Sequence, residues 1–142
     1  MFFYFVKYWL VKSEPTTYSW QQMQEDKIVH WDGVRNYQAR NNLRAMQLGD
    51  QAFFYHSNKE REIKGVVRVV REAYPDHTDE SGKFDMVDLE CVKSLPRPIS
   101  LQEIKSHPFL QNIALIKQSR LSVMPITENE CHIIMTIANY FH

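Results

Sequence analysis

A chain of 142 residues has the length of one domain, and its make-up, 44% hydrophobic and 24% charged, excludes intrinsic disorder. Seventeen basic residues balance seventeen acidic ones, which excludes a broad positive field and confines any nucleic-acid contact to a local patch. Cys91 and Cys131, far apart and without C-x-x-C spacing, exclude a disulfide framework and predict two buried free thiols in a cytoplasmic protein.

The apolar opening from Met1 to Val11 is broken by Lys7, has no basic leader or small-residue cleavage site, and is too short to span a bilayer, so no membrane partner is expected. Tyr8-Trp9-Leu10-Val11 reads as a central strand stopped by Lys12-Ser13-Glu14-Pro15. Ser19 to Gln22 has capping-box spacing and predicts a short helix to about Asp26. Ile28 to Trp31 is a short extended piece, Asp32-Gly33 a turn, and Asn36 the cap of a helix running through Leu48 to a stop at Gly49. Gln51–His56 and Ile63–Glu72 form a hairpin. Valines 66, 67, 69 and 70 put apolar groups on both faces of its second strand, as a packed barrel requires. Val87, Leu89 and Cys91 alternate with Asp88 and Glu90 in a half-buried strand toward Leu95. Capping boxes at Ser100–Glu103 and Thr127–Glu130 start two more helices. The last presents Cys131, Ile134, Ile137, Ala138 and Phe141 on one face.

Chemistry concentrates in Trp31–Asn41, where aromatic, amide and guanidinium groups surround a turn and a helix start. Aromatic faces stack on bases, an Asn amide pairs with a base edge, and arginines with a helix N-terminus hold phosphate. The structural alternative makes Trp31 and Tyr37 core aromatics, Asn36 a plain cap, and Arg40 with Arg44 a solvated face; from the segment alone it is the simpler reading. Tyr55-His56-Ser57-Asn58 ends a strand, where pocket residues or a hairpin mouth are equally at home. A His56–Ser57 catalytic pair is disfavoured because adjacent strand residues point to opposite faces. Glu14 and Asp32 are the acids available for an acid/base role, though a salt bridge and a turn explain them as well. Six histidines without H-x-x-x-H spacing give no reason to expect a metal or other cofactor.

These segments, together with Gly49-Asp50, Val70–Pro75 and Arg120-Leu121-Ser122-Val123, resemble the EVE domain over essentially the whole chain after Val6. The resemblance implies a single domain over 1–142, with residues 1–6 as an N-terminal extension. It implies an α+β fold, a PUA-like mixed β pseudo-barrel with helices packed around it. It also implies a non-catalytic reader that holds a modified base in an aromatic-lined pocket: modified cytosine in DNA first, a modified base in RNA second. Carried over by motif, Trp31, Gly33, Val34, Asn36, Tyr55, Ser57 and Asn58 form the pocket, and Lys12, Ser13, Arg35 and Arg40 make neighbouring polar or phosphate contacts. The partner is then nucleic acid carrying the modification, and any cleavage belongs to a separate effector protein. One departure stands out: the loop before Met86 is short, and Phe84 stands where relatives carry a tryptophan. The competing functions are an enzyme acting on a base or nucleoside through Glu14 or Asp32, and a module binding a small ligand or another protein.

Overall fold

β1 (Tyr8–Ser13) and β3 (Gln51–His56) run parallel, with Leu10 opposite Phe53 and Ser13 opposite His56. A parallel pair needs a crossover. Here the crossover is built from α1 (Trp20–Asp26), β2 (Ile28–His30), the loop after it and α2 (Tyr37–Ala45). The computed structural model describes residues 6–140. Within them β4 (Glu62–Pro75), β5 (Asp85–Ser100) and β6 (Val123–Ile126) complete a mixed six-stranded sheet in the order β2-β5-β4-β3-β1-β6. All pairs other than β1–β3 are antiparallel. With α3 (Leu101–Ser106), α4 (Ala114–Lys117) and α5 (Glu128–Ile137) the class is α+β.

Four register shifts interrupt the long β4–β5 ladder. Each such irregularity bends a strand and sharpens its twist. Consecutive Val66 and Val67, which a flat strand would point to opposite faces, are both buried, so β4 is covered on both sides as the barrel-like arrangement demands. The core runs from Leu10, Phe53 and Phe54 through Leu89 and Ile99 to Ile113 and Ile134. α2 packs across β4, β5 and β6.

The capping boxes at Ser100 and Thr127 are complete. At Ser19 half the box forms: Ser19 accepts from the Gln22 N–H, but the Gln22 side chain reaches forward to Asp26 instead of back. α2 ends at Ala45, three residues before the expected stop. Met46 leaves helical geometry (ψ 139°) and buries its side chain, while Gly49, at φ 88°, serves the turn into β3. On α5, Cys131, Ile134 and Ala138 are buried and Ile137 half-buried, and Phe141 lies outside the described residues. So do residues 1–5 of the expected extension. Both cysteines are free, but only Cys131 is fully buried; Cys91 is half-exposed on β5. No helix among the described residues is long and apolar enough to cross a membrane.

Candidate functional site

The crossover loop and the C-terminal end of β1 enclose an open cavity of about 580 Å³, within the roughly 300–1,000 Å³ usual for ligand sites. Lys12 and Ser13 at the end of β1 form one wall, with Glu14, Thr17 and Tyr18 from the turn that follows. Val29 and His30 of β2, the Trp31–Asn36 loop and Ser122 form the rest. The wall is pinned by local chemistry. The Ser13 hydroxyl donates to the Tyr18 carbonyl at 2.5 Å, and the Thr17 and Tyr18 amides both donate to the Glu14 carbonyl. The Lys12 amide donates to the Ser122 carbonyl, which extends the β1–β6 pairing by one step.

Trp31 is held by its amide on the Val87 carbonyl and by edge contacts with Phe54 (5.6 Å, 79°) and Tyr18 (6.4 Å, 84°). It is 8% exposed, so the part it shows is the part lining the cavity. Gly33 sits at φ 81°, in the left-handed region that favours glycine, and its amide donates to Asp76 at 2.8 Å. Asp76 is buried and also accepts from the Thr78 amide and hydroxyl and from Arg35 at 3.1 Å. Burial opposes its charge. The hydrogen bonds from Thr78, Gly33 and Arg35 outweigh that and hold its carboxyl down at about 2. Asp76 thereby fixes the loop's shape from the far end of β4.

Asn36 caps α2 by accepting from the Ala39 N–H at 2.9 Å. That bond takes one lone pair of its oxygen and leaves the second, with the Nδ2 hydrogens, for a ligand. Lys12 donates to the Ser119 carbonyl at 2.7 Å, and burial lowers its ammonium pKa. Of the lining residues, Asp32 pairs with His77 at 3.6 Å and His30 with Asp88 at 2.8 Å. Burial and the hydrogen bond to Asp26 raise the Tyr18 hydroxyl pKa well above its usual value.

Of the residues singled out in the sequence, the structure brings Lys12, Ser13, Trp31, Gly33, Val34, Arg35 and Asn36 together around this cavity. Tyr55, Ser57, Asn58 and Arg40 are not in its wall. β3 lies on the opposite side of β1 from β6, so its end backs the wall rather than lining it. Tyr55 is buried there, with the Lys12 ammonium 5.9 Å from its ring, and the Ser57 amide bonds the Ser13 carbonyl. Asn58 is an exposed turn residue at φ 72°. Arg40 donates to the Lys83 carbonyl and to Asn41, and lies over the exposed Tyr37 ring, which itself stacks on Phe84 at 5.2 Å. Phe84 also carries Arg35 over its face at 5.3 Å, so the short loop still supports the cavity's rim. His56 is buried, accepting from the Trp20 N–H and bonded to Glu60. The sequence reading did not single out Tyr18, Thr17, His30 or Ser122 as lining residues. Ser122 stood inside a quoted motif, and Tyr18 directly precedes a recognised cap.

A curved mixed sheet with a solvent-open, partly aromatic cavity beside its crossover loop defines a ligand-binding α+β module. The EVE domain family model matches residues 7–137, and the chain belongs to that family. Thymocyte nuclear protein 1 of Gallus gallus is 41% identical to it over 92% of this chain and 68% of its own length. That alignment spans 164 residues, more than the whole chain, so the relative carries residues this chain lacks. An NMR structure from Rhodopseudomonas palustris superposes with a TM-score of 0.92 at 45% identity, covering 96% of both chains. Human thymocyte nuclear protein 1, solved in complex with 5-methylcytosine-containing DNA, superposes at 0.88 with 38% identity, over 93% of this chain and 97% of that one. A YTH domain from Zygosaccharomyces rouxii, at 0.59 and 14% identity, shares the fold, in agreement with the PUA-like architecture.

Proposed function

We propose that this protein is a non-catalytic reader that takes a modified base, modified cytosine in DNA first, out of a strand and into the cavity beside Trp31. The observation that carries the reading is that the cavity forms from the Trp31–Asn36 loop in a chain 38% identical to a human protein solved with 5-methylcytosine DNA. Trp31, Val34 and Tyr18 supply the apolar walls, and Ser13, Asn36 and Ser122 supply hydrogen-bonding groups for a base edge. Lys12 and Arg35 are the cations in its wall.

Magnitudes set the expected behaviour. Extruding a base costs a few kcal/mol, and one aromatic contact returns about 1–3 kcal/mol, so single-stranded or weakly paired substrates bind best. Burying a methyl group contributes about 0.8 kcal/mol, roughly a fourfold preference. Sharper discrimination requires the unmodified base to leave a polar group unpaired.

The test is fluorescence anisotropy with short oligonucleotides, DNA and RNA, single- and double-stranded, carrying plain or modified cytosine or adenine at one position. Preferential binding of a modified base, in a form that weakens as salt rises, is expected; equal binding of all members ends the proposal. A second reading has its own observation: Glu14 and Asp32 both line the cavity. An enzyme using them would release a free base or altered nucleoside, which chromatography of the incubated oligonucleotide detects.

A further inference from the structure

Asn36 belongs to two depressions. Besides the cavity it lines a more open groove of about 320 Å³, shared with Gln38, Gln118, Ser119, Arg120 and Leu121. The two sites also share the segment before β6. Ser122 lines the cavity, its neighbours 119–121 line the groove, and Lys12 of the cavity holds the Ser119 carbonyl. Gln38 donates to the Gln118 side-chain oxygen at 2.8 Å, tying α2 to this segment. That bond leaves the Gln38 oxygen and the Gln118 amide hydrogens for a ligand.

Charge indicates what the groove takes. Arg120 is exposed, and no described residue pairs with its guanidinium. No carboxylate stands in the groove's wall. The arginines that the sequence offered for phosphate are engaged elsewhere: Arg35 by Asp76 and Thr78, Arg40 by Asn41 and the Lys83 carbonyl. A guanidinium among neutral amides offers a forked set of donors that matches phosphate oxygens.

We propose that this groove holds the phosphodiester flanking the base in the cavity, with Arg120 as its phosphate-binding residue. The inference rests on the base-reading proposal, because the wall shared at Asn36, and the step in the chain from Leu121 of the groove to Ser122 of the cavity, make the groove the path of the strand next to an inserted base.

The experiment compares the wild-type chain with Arg120→Gln and with Lys117→Gln, an exposed cation of α4 outside the groove. The probes are a single-stranded DNA oligonucleotide with one 5-methylcytosine, its unmodified counterpart, and 5-methyl-2′-deoxycytidine, which has no phosphate. Arg120→Gln is expected to weaken oligonucleotide binding roughly three- to tenfold at moderate salt and to flatten the log–log salt slope by about 0.7. Nucleoside affinity and the preference for the mark stay as in wild type, and Lys117→Gln changes neither. Wild-type slope and affinity in Arg120→Gln, an equal loss in Lys117→Gln, or no oligonucleotide binding at all overturns the proposal. If wild type shows no preference for the mark while Arg120→Gln still flattens the slope, the base reading falls and the phosphate groove stands.

Discussion

Asp76 orders the candidate site without lining it. Its carboxylate accepts from the Gly33 amide, the Thr78 amide and hydroxyl, and Arg35, and these contacts hold its pKa at about 2 against 3.8 for an ordinary aspartate. The folded state therefore binds fewer protons than the unfolded chain between those values. The resulting stabilisation, roughly 2–3 kcal/mol, is present in full above about pH 4 and is lost as pH falls through about 2. Urea unfolding across this range is expected to show Asp76→Asn less stable than wild type near neutral pH, with the gap closing in acid; a gap that persists at the acid end contradicts the assignment. Trp31 is tested by Trp31→Leu, which keeps an apolar side chain against Phe54 but removes the indole. Oligonucleotide affinity is expected to fall by about tenfold, one aromatic contact, with the far-UV spectrum unchanged. Unchanged affinity would show that no base reaches it. At this scale the sequence was most legible where the site is contiguous. Trp31 to Asn36 mixes an aromatic, a glycine and an amide within six positions, yet that mixture alone suited core aromatics and a plain helix cap better, and it was the family resemblance that pointed to a pocket. Asp76 gave no such signal, because its partners Gly33 and Arg35 are more than forty residues away.

α1 is docked by one close approach. The indole of Trp20 lies on Gly65 of β4, where an added Cβ would stand 2.1 Å from the ring, and its Nε1 donates to Ser94 on β5. Gly65→Ala is expected to lower stability by about 1–3 kcal/mol through overpacking, read as a lower melting temperature. An unchanged melting temperature would mean that α1 shifts freely. Thr127 accepts from Glu130 in a reciprocal cap, so Thr127→Ala is expected to remove about 1 kcal/mol. The boxes at Ser100 and Thr127 were readable because capping is local, and β1, β3 and β4 because strand patterning is local too. The end of α2 was not. Gly49 advertised a stop, but burying Met46 ended the helix earlier, a tertiary demand that propensity does not carry. β6 was equally hidden: it is four residues long and holds Pro125, which suits an edge strand and obscures the pattern. The exclusion of Tyr55, Ser57 and Asn58 from the cavity wall follows from strand order, since β3 pairs with the opposite edge of β1 from β6, and strand order is not written in any one segment.

The whole molecule carries no net charge, so binding cannot depend on a general attraction to polyanions. Lys12 and Arg120 flank the segment before β6 and are the cations placed to meet a strand. The salt dependence of single-stranded binding is accordingly expected to be shallow, with a log–log slope of about −0.7 to −2. A much steeper slope would place binding on a broad basic face that this composition does not provide. Phe84 lies beneath Arg35 and stacks on Tyr37 at the cavity's rim. The central claim, that a modified base enters the cavity beside Trp31, is tested most directly by proton–nitrogen correlation spectra of labelled protein titrated with a short single-stranded DNA carrying one 5-methylcytosine. The account predicts that the largest shifts fall on the Trp31 indole and on the Gly33, Val34 and Ser122 amides, and that the unmodified strand produces them more weakly; shifts confined to other surfaces, or identical for both strands, would contradict it.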